Sequence, residues 1–228
     1  MNTLTETQLL SMLEMQDGMN KKVNPDWVAA NNNWHRAIQV EAVEAIEHHG
    51  WKWWKKQNCD MAQLRMELVD IWHFILSTVI QNTRGSIRFA TIEMISELSQ
   101  KAVQFDNQHY ILAKMSLLEK LDLLVGLSAA KRTSLALFNS LLSDCGMSWV
   151  ELFKQYTGKN VLNIFRQDYG YKAGTYIKIW NGREDNEHLV ELLDIIDLSA
   201  DNVHDELYRT LKSRYMLALN EQKFVVFS

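Results

Sequence analysis

This chain of 228 residues contains a single proline, Pro25, and only nine glycines. Proline and glycine are the residues that most often end helices and strands, so their scarcity favours long, uninterrupted elements. The alternating apolar and polar runs typical of strands are also scarce, whereas apolar residues recur at helical spacing, for example at Leu117, Leu118, Leu121 and Leu124. The sequence therefore predicts an all-α fold built as a multi-helix bundle.

Composition and charge narrow the class of protein. The chain is 47% hydrophobic and has a net charge of −4, so it lacks the basic character of a protein that binds nucleic acid polymers. It has no uncharged apolar stretch of about 18 residues, so no membrane span is expected. The N-terminus lacks the apolar run of a signal peptide, and Cys59 and Cys145 show no metal-binding spacing. These features predict a cytoplasmic protein.

Turn and cap residues predict where the helices begin and end. Asn24-Pro25 is a helix start signal, Gly50 a stop signal and Asp60 a good N-cap, while Arg84-Gly85 breaks the helix that Asp60 begins. We expect helices at about 5–20, 24–49, 60–81, 148–167, 186–198 and 201–220.

The segment at about 86–146 predicts two or three further helices without recognisable chemistry. We therefore expect a single domain, 1–228, whose core comprises about 1–85 and 147–228. The smaller helical segment at 86–146 is inserted between these two parts.

Two acidic pairs, Glu41/Glu44 and Glu67/Asp70, lie in two separate apolar helical stretches. Each pair has i, i+3 spacing, so its carboxylates share one helix face, roughly 5–6 Å apart at Cβ. Buried carboxylates are costly unless they are paired or bind a metal. If the two helices pack antiparallel, all four carboxylates converge, and hard oxygen donors of this kind suit Mg²⁺ or Mn²⁺.

Two other interpretations of the acids remain open. They could form solvated helix faces or ion pairs with arginines of the chain, which is common for a single pair. They could also belong to a di-iron bundle, which would require two Glu-x-x-His motifs on different helices. Asp70 to His73 supplies one acid-x-x-His spacing, but neither Glu41 nor Glu44 has a histidine three residues on. This pattern favours an all-oxygen magnesium site.

A second cluster, between Lys159 and Arg183, reverses the sign of the chain's charge, because five cations there accompany a single acid, Asp168. Arginine offers a bidentate fork to phosphate and lysine a compact charge. No GxxxxGK[ST] motif occurs, so side chains and a metal would have to hold a phosphate. An ordinary solvated loop is the alternative.

Aromatic residues supply the third cluster, since Trp51, Trp53 and Trp54 alternate with lysines at 52, 55 and 56. Rings between cations can stack on bases while the cations hold phosphates, although a tryptophan plug over the helix pair is an equally good interpretation. His73 lies one turn beyond Asp70 and is either a core histidine or a contact to a base. Acids, cations and aromatic rings together predict a site for a nucleoside polyphosphate.

Five motifs occur in a characteristic order: Glu41-Ala-Val-Glu44, Trp51-Lys-Trp-Trp-Lys55, Glu67-Leu-Val-Asp70-Ile-Trp-His73-Phe74, and the runs 159–172 and 176–186. In this order they resemble the dimeric, all-α dUTPase family, which is related to the MazG-like all-α nucleotide pyrophosphatases. The resemblance covers both ends of the chain and leaves 87–146 without a motif.

The resemblance implies a magnesium-dependent homodimer, with Mn²⁺ as a substitute metal, that hydrolyses dUTP to dUMP and pyrophosphate, and dUDP to dUMP and phosphate. The implied metal ligands are Glu41, Glu44, Glu67 and Asp70. The implied phosphate contacts are Lys159, Asn163, Arg166, Lys172 and Lys178. The implied base and sugar contacts are Gln16, Asn20, Trp54, His73 and Asn181. The segment 86–146 corresponds to the family's mobile part, which closes over the nucleotide beside a rigid, metal-binding helical core.

The expected mechanism gives the catalytic role to Glu44 and Glu41, with Glu44 orienting a metal-bound water and taking its proton. Attack at the α-phosphorus would release pyrophosphate, and attack at the β-phosphorus stays open. Three other functions stay open as well. They are a related pyrophosphatase for dCTP or a non-canonical nucleotide, a helical interaction protein without enzymatic activity, and a redox di-metal bundle.

Overall fold

The computed structural model describes residues 3–196 and 203–226, and this part of the chain is mostly helical. Its ten α-helices are α1 (Glu6–Val23), α2 (Trp27–Ala30), α3 (Trp34–His49), α4 (Met61–Asn82), α5 (Ile87–Glu97), α6 (Leu117–Ala129), α7 (Leu135–Asp144), α8 (Trp149–Asp168), α9 (Asp185–Ile195) and α10 (Val203–Val226). A 3₁₀ turn at Leu112–Lys114 and two hairpins complete it: β1 (Ala102–Phe105) pairs with β2 (Gln108–Ile111), and β3 (Ile179–Trp180) with β4 (Arg183–Glu184). The predicted all-α fold is confirmed.

The α-helices of the described ranges are between 4 and 24 residues long. None of them is both long enough and apolar enough to cross a membrane.

The chain divides into two compact units, which are described separately. Unit 1 comprises Met1–Asp17 and Asp26–Leu152, and unit 2 comprises Gly18–Pro25 and Phe153–Ser228. The segment 86–146 lies wholly within unit 1, where α6 packs against both α3 and α7. Its predicted status as an inserted, mobile part of a single domain stays a prediction.

Three predicted helix ends coincide with the observed ones. Gly50 follows α3 with a φ of 81°, in the left-handed region that favours glycine. The Asp60 side chain accepts a hydrogen bond from the backbone N–H of Gln63 and so caps α4. α4 ends at Asn82, just before Arg84 and Gly85, both of which have positive φ. The C-terminal end of α3 and both ends of α4 are therefore those that the sequence predicts.

The prediction of one continuous helix over 24–49 is wrong. The short helix α2 ends at Asn31, whose φ of 49° is left-handed, and the Asn33 side chain caps the new helix α3 by accepting from the Arg36 N–H. The Gln81 side chain donates to the Asn31 side chain at 3.1 Å and accepts from the Trp34 indole N–H at 3.0 Å. Asparagine tolerates the left-handed conformation and caps helices well, so the run of three asparagines is a break signal.

The segment 86–146 contains three α-helices, where two or three are predicted, but it also contains an unpredicted β-hairpin. Strands β1 and β2 meet at Asp106 and Asn107, which both have positive φ, 47° and 58°. Two such residues form a type I′ turn, whose twist matches that of a hairpin. The Arg132 guanidinium lies over the Phe105 ring, 5.8 Å from its centroid, and covers one side of the hairpin. The strands are only four residues long, too short for an alternating pattern to stand out.

The core of unit 1 surrounds α4. Most residues of α4 between Leu68 and Ile80 are buried, because neighbouring helices cover the helix on most of its circumference. Trp72 stacks on Phe138 with ring centroids 5.0 Å apart and meets the edge of Trp149 at 5.2 Å. A helix covered on so many sides forces any carboxylate near its middle out of bulk water.

The core of unit 2 is an aromatic cluster centred on Phe165 of α8. Tyr169 lies 4.4 Å from the Phe165 ring, Tyr208 5.4 Å, Tyr215 5.5 Å and Trp180 5.9 Å. These rings come from α8 and the residue that follows it, from the β3–β4 hairpin and from α10, so the cluster joins three elements of the chain.

Two helical glycines offer a matched test of the packing. A Cβ at Gly18 would meet nothing within 4 Å, whereas a Cβ at Gly158 would lie 2.8 Å from both methyl groups of the buried Leu193. We expect Gly18→Ala to stabilise the protein by about 1 kcal/mol through helix propensity. Gly158→Ala should lose that gain to overpacking and destabilise by about 1–3 kcal/mol. Thermal unfolding measures both changes, and a stabilised G158A would contradict the close packing of α8 on α9.

Candidate functional site

Helices α3 and α4 pack side by side and run antiparallel. The backbone N–H of Asp60, just before α4, donates to the carbonyl of His48 in the last turn of α3, at 2.8 Å. At the other end, Trp34 in the first turn of α3 bonds Gln81 in the last turn of α4, at 3.0 Å. These two contacts lock the register between the helices, and the acidic pairs lie between them.

Three carboxylates meet between α3 and α4. Oxygen atoms of Glu41, Glu67 and Asp70 all lie within 4.8 Å of one another. Glu67 is buried, and Glu41 and Asp70 are half-buried. Three of the four carboxylates that were expected to converge thus come together, with at least one from each pair, and we call these three residues the carboxylate cluster.

The electrostatics of the carboxylate cluster fit a hard divalent cation. The pKa of Glu41 is raised to about 8, first by burial, then by the negative charges of Asp70, Glu67 and Glu44, and by a hydrogen bond with Glu67. Burial and the repulsion of the neighbouring carboxylates thus oppose the ionisation of Glu41. A cation would relieve both the repulsion and the burial penalty, and an all-oxygen donor set suits Mg²⁺ or Mn²⁺.

Glu44 stands apart from the carboxylate cluster. It lies one turn after Glu41 on α3 and is exposed, and its oxygens are not among those within 4.8 Å of one another. Its charge nevertheless contributes to the raised pKa of Glu41, so it lies close enough to act on the same centre. Its predicted roles as metal ligand and general base stay predictions.

His48 is a neighbour of the carboxylate cluster that sequence reasoning missed. Its Nε2 atom lies 3.3 Å from Oε1 of Glu67. The residue follows Glu41 by seven positions and Glu44 by four, which places all three on one stripe of α3. His48 does not have acid-x-x-His spacing from either glutamate, so that motif does not identify it. Its spacing of four and seven residues from the two glutamates does predict that it shares their face of α3.

Two predicted base contacts also come together in unit 1. Nδ1 of His73 on α4 lies 2.8 Å from Oε1 of Gln16 on α1, and both side chains are buried. His73 is three residues beyond Asp70, so α4 carries it on the same side as part of the carboxylate cluster. With the Gln16 amide in this orientation, the contact is the one that an imidazole protonated at Nδ1 makes.

Trp54, the third predicted base contact in unit 1, lies in the loop between α3 and α4. Its ring meets the edges of Trp51 at 5.2 Å and Trp53 at 5.1 Å, and Trp53 is 89% exposed. The tryptophans therefore lie on the surface and do not plug the helix pair. The Trp51 indole and Lys52 both donate to Glu47 of α3, which anchors the loop.

The other predicted contacts lie in unit 2. Asn20 is buried. Asn181 and Gly182 both have positive φ, 49° and 81°, and form the tight turn between β3 and β4, where an asparagine followed by a glycine is the preferred pair. The positive φ in this turn thus explains why residue 181 is an asparagine, independently of any ligand.

Arg166 forms the best-defined ion pair of unit 2. Its Nε and Nη2 donate to the two oxygens of Asp185 at 2.8 Å and 2.7 Å, while Nη1 donates to Asn163 at 3.1 Å. Asp185 is completely buried and also accepts from the Tyr176 hydroxyl at 2.8 Å. This bidentate pair ties α8 to the start of α9, so Arg166 has a structural role besides any contact with phosphate.

The predicted lysines differ in their surroundings. Lys159 is buried on α8, and Lys172 and Lys178 are exposed. The ammonium group of Lys172 donates to the Val23 carbonyl at 2.8 Å, and that of Lys178 lies 2.9 Å from the Glu184 carboxylate. Each exposed lysine thus contacts an oxygen acceptor within unit 2 that another acceptor can replace.

Comparison with known families gives an independent result. A family model described as dUTPase matches residues 8–171, which is well over half of the chain. The matched range includes both acidic pairs and the phosphate contacts predicted on α8, whereas Lys172, Lys178 and Asn181 lie beyond it. A comparison with curated proteins finds no match.

The Arg166–Asp185 pair generates a test of stability. We expect Arg166→Ala to destabilise the protein by about 3–5 kcal/mol, because it leaves the Asp185 carboxylate buried without its cation. Lys178→Ala is the control, since its ion pair with Glu184 is exposed and should contribute no more than about 1 kcal/mol. Urea unfolding measures both values. An R166A variant as stable as the wild type would show that the buried pair does not support the fold.

Proposed function

The chain belongs to the all-α dUTPase family, a family of metal-dependent dUTP diphosphatases that hydrolyse dUTP to dUMP, and we propose that this hydrolase uses Mg²⁺ at its carboxylate cluster. We further propose that it releases pyrophosphate from dUTP and phosphate from dUDP, and that it works as a cytoplasmic homodimer. The observation that carries the metal assignment is the convergence of Glu41, Glu67 and Asp70.

The proposed metal ligands are Glu41, Glu67 and Asp70, with Glu44 as the fourth carboxylate. The raised pKa of Glu41 supports the assignment, because burial and the negative charges of the neighbouring carboxylates cause it and a bound cation would relieve both. When bound, Mg²⁺ would neutralise charge on the phosphate oxygens and lower the pKa of a coordinated water, and Mn²⁺ could replace it.

Glu44 is the proposed general base, with Glu41 beside it. Its exposure supports this role, because a base has to reach the attacking water and then release the proton to solvent. Glu44 would accept the proton of a water that attacks the α-phosphorus, and Glu41 would hold that region of α3 in register with α4. The carboxyl group of Glu41 already bonds Glu67 across the two helices.

The proposed phosphate contacts are Lys159, Asn163, Arg166, Lys172 and Lys178. Cationic and amide donors of this kind match the acceptors on a polyphosphate. For Arg166 the contact would come in addition to its pair with Asp185, and its donation to Asn163 could orient that amide.

The proposed base and sugar contacts are Gln16, Asn20, Trp54, His73 and Asn181. The His73–Gln16 contact supports selection of uracil, because an imidazole protonated at Nδ1 keeps an acceptor at Nε2. Uracil carries an N3–H that could donate to such an acceptor, whereas N3 of cytosine carries no hydrogen. A buried polar group left unpaired costs about 1–3 kcal/mol, and several such groups discriminate far more strongly.

A panel of nucleotides tests the proposed function. We expect the purified protein with Mg²⁺ to convert dUTP to dUMP and pyrophosphate and to convert dUDP more slowly, with little turnover of dCTP, dTTP or the ribonucleotides. The measurement is the release of monophosphate and pyrophosphate for each nucleotide in turn. Turnover of dCTP in place of dUTP would keep the metal site and overturn the base contacts, and no turnover at all would favour a helical interaction protein.

The role of Glu44 is testable by one substitution. Glu44→Gln should lower kcat by about 10²–10⁴-fold, because the amide cannot accept the proton of water, while binding of dUTP is largely kept. Glu93→Gln, at an exposed position on α5, is the control and should leave kcat unchanged. Steady-state kinetics and equilibrium binding of dUTP separate the two effects. Full activity of E44Q would assign the base to another residue.

A further inference from the structure

The last turn of α3 brings a histidine to the carboxylate cluster. His48 follows Glu41 by two helical turns, and its Nε2 lies 3.3 Å from Oε1 of Glu67. The imidazole is about one-third exposed, whereas the Glu67 side chain is almost wholly enclosed. The histidine therefore approaches Glu67 from the solvent side of the helix pair.

The backbone of His48 is fixed at the same point. Its carbonyl accepts from the backbone N–H of Asp60, and the Asp60 side chain caps α4, the helix that carries Glu67. The residue thus contacts α4 twice, once through its backbone and once through its ring. The backbone contact fixes the position of His48 on α3, and the ring contact places its imidazole next to Glu67.

The residues on either side of His48 have other contacts. Glu47 accepts from the Trp51 indole and from Lys52, so it anchors the loop. Nδ1 of His49 lies 3.4 Å from the Gly50 carbonyl, at the end of the helix. Within this turn, His48 is the side chain that reaches the carboxylate cluster.

We propose that His48 is a positioning residue, which holds the Glu67 carboxylate in the orientation that a divalent cation requires. The inference rests on the metal site proposed above. Oxygen atoms of Glu67, Glu41 and Asp70 lie within 4.8 Å of one another, so a donor that holds Glu67 from the solvent side would keep its carboxylate turned towards the cluster. The hydrogen-bonding partners of metal-binding carboxylates are commonly worth 10–100-fold in metal affinity or activity.

The proposed role requires a hydrogen-bond donor and not a charge. The Nε2–H of histidine is present both in the imidazolium ion and in one neutral tautomer, and a glutamine side chain offers an amide N–H at a similar distance from the backbone. Leucine has a similar size and no donor. The two substitutions therefore separate donation from packing.

Binding of Mn²⁺ without nucleotide, measured from the electron paramagnetic resonance signal of the free ion, tests the proposal on the full chain. We expect His48→Leu to raise the Kd for Mn²⁺ by about 10-fold or more and His48→Gln to stay within about 3-fold of the wild type. His49→Leu is the matched control, since it removes the neighbouring imidazole, and it should bind Mn²⁺ as the wild type does.

The possible outcomes distinguish this proposal from the one on which it rests. A wild-type protein that binds no Mn²⁺ would overturn the metal site itself. Wild-type affinity in H48L would overturn only the role of His48, and a loss in H48Q as large as in H48L would make the imidazole a direct metal ligand. Circular dichroism checks the fold, and if H48L does not fold, His48→Ala replaces it, because truncating a partly exposed ring leaves little buried cavity.

Discussion

The antiparallel packing of α3 on α4 is the constraint on which the candidate site depends. It is fixed at one end by the contact between His48 and Asp60 and at the other by Trp34 and Gln81. Between these ends the helices bring like charges together, which costs free energy unless a cation or a proton compensates. The raised pKa of Glu41 expresses that cost. The apolar packing around α4 provides the stability that holds the carboxylates in place against their repulsion.

In unit 2 a buried charge is compensated by an ion pair within the protein. Asp185 is wholly buried, and its two oxygens are satisfied by Arg166 and by the Tyr176 hydroxyl. A pair with this geometry keeps both charges without any external ligand, whereas the carboxylate cluster of unit 1 brings three acidic groups within 4.8 Å of one another. The contrast indicates which carboxylates belong to the fold and which are suited to binding a cation.

Local signals in the sequence predicted much of the fold and the centre of the site. The i, i+3 acidic pairs, the Asp60 cap and the Gly50 stop each act within a few residues, so they can be recognised without tertiary information. The three asparagines at 31–33 and the turn at Asp106-Asn107 are local signals as well, but their meaning as a break and a hairpin depends on contacts with Gln81 and Arg132. Propensity alone does not reveal these contacts.

Other features of the site could not be predicted because they depend on distant pairing. Arg166 was predicted as a phosphate contact from its charge, and its partner Asp185 lies 19 residues away, across a hairpin. His48 and Glu67 are likewise separated by the whole tryptophan loop. The sequence therefore does not show which cations of such a cluster form ion pairs within the protein and which of them bind a ligand.

The partners of the cations in unit 2 determine which of them can exchange their contact for a phosphate. Exposed ion pairs such as Lys178 with Glu184 contribute only about 0–1 kcal/mol, so replacing the carboxylate by a phosphate costs little. Lys172 gives up a single backbone carbonyl. Arg166 would give up a buried, bidentate pair worth about 3–5 kcal/mol to break. We therefore expect the two exposed lysines to give up their present partners for a bound polyphosphate, while Arg166 keeps its pair with Asp185 and contacts the phosphate in addition to it.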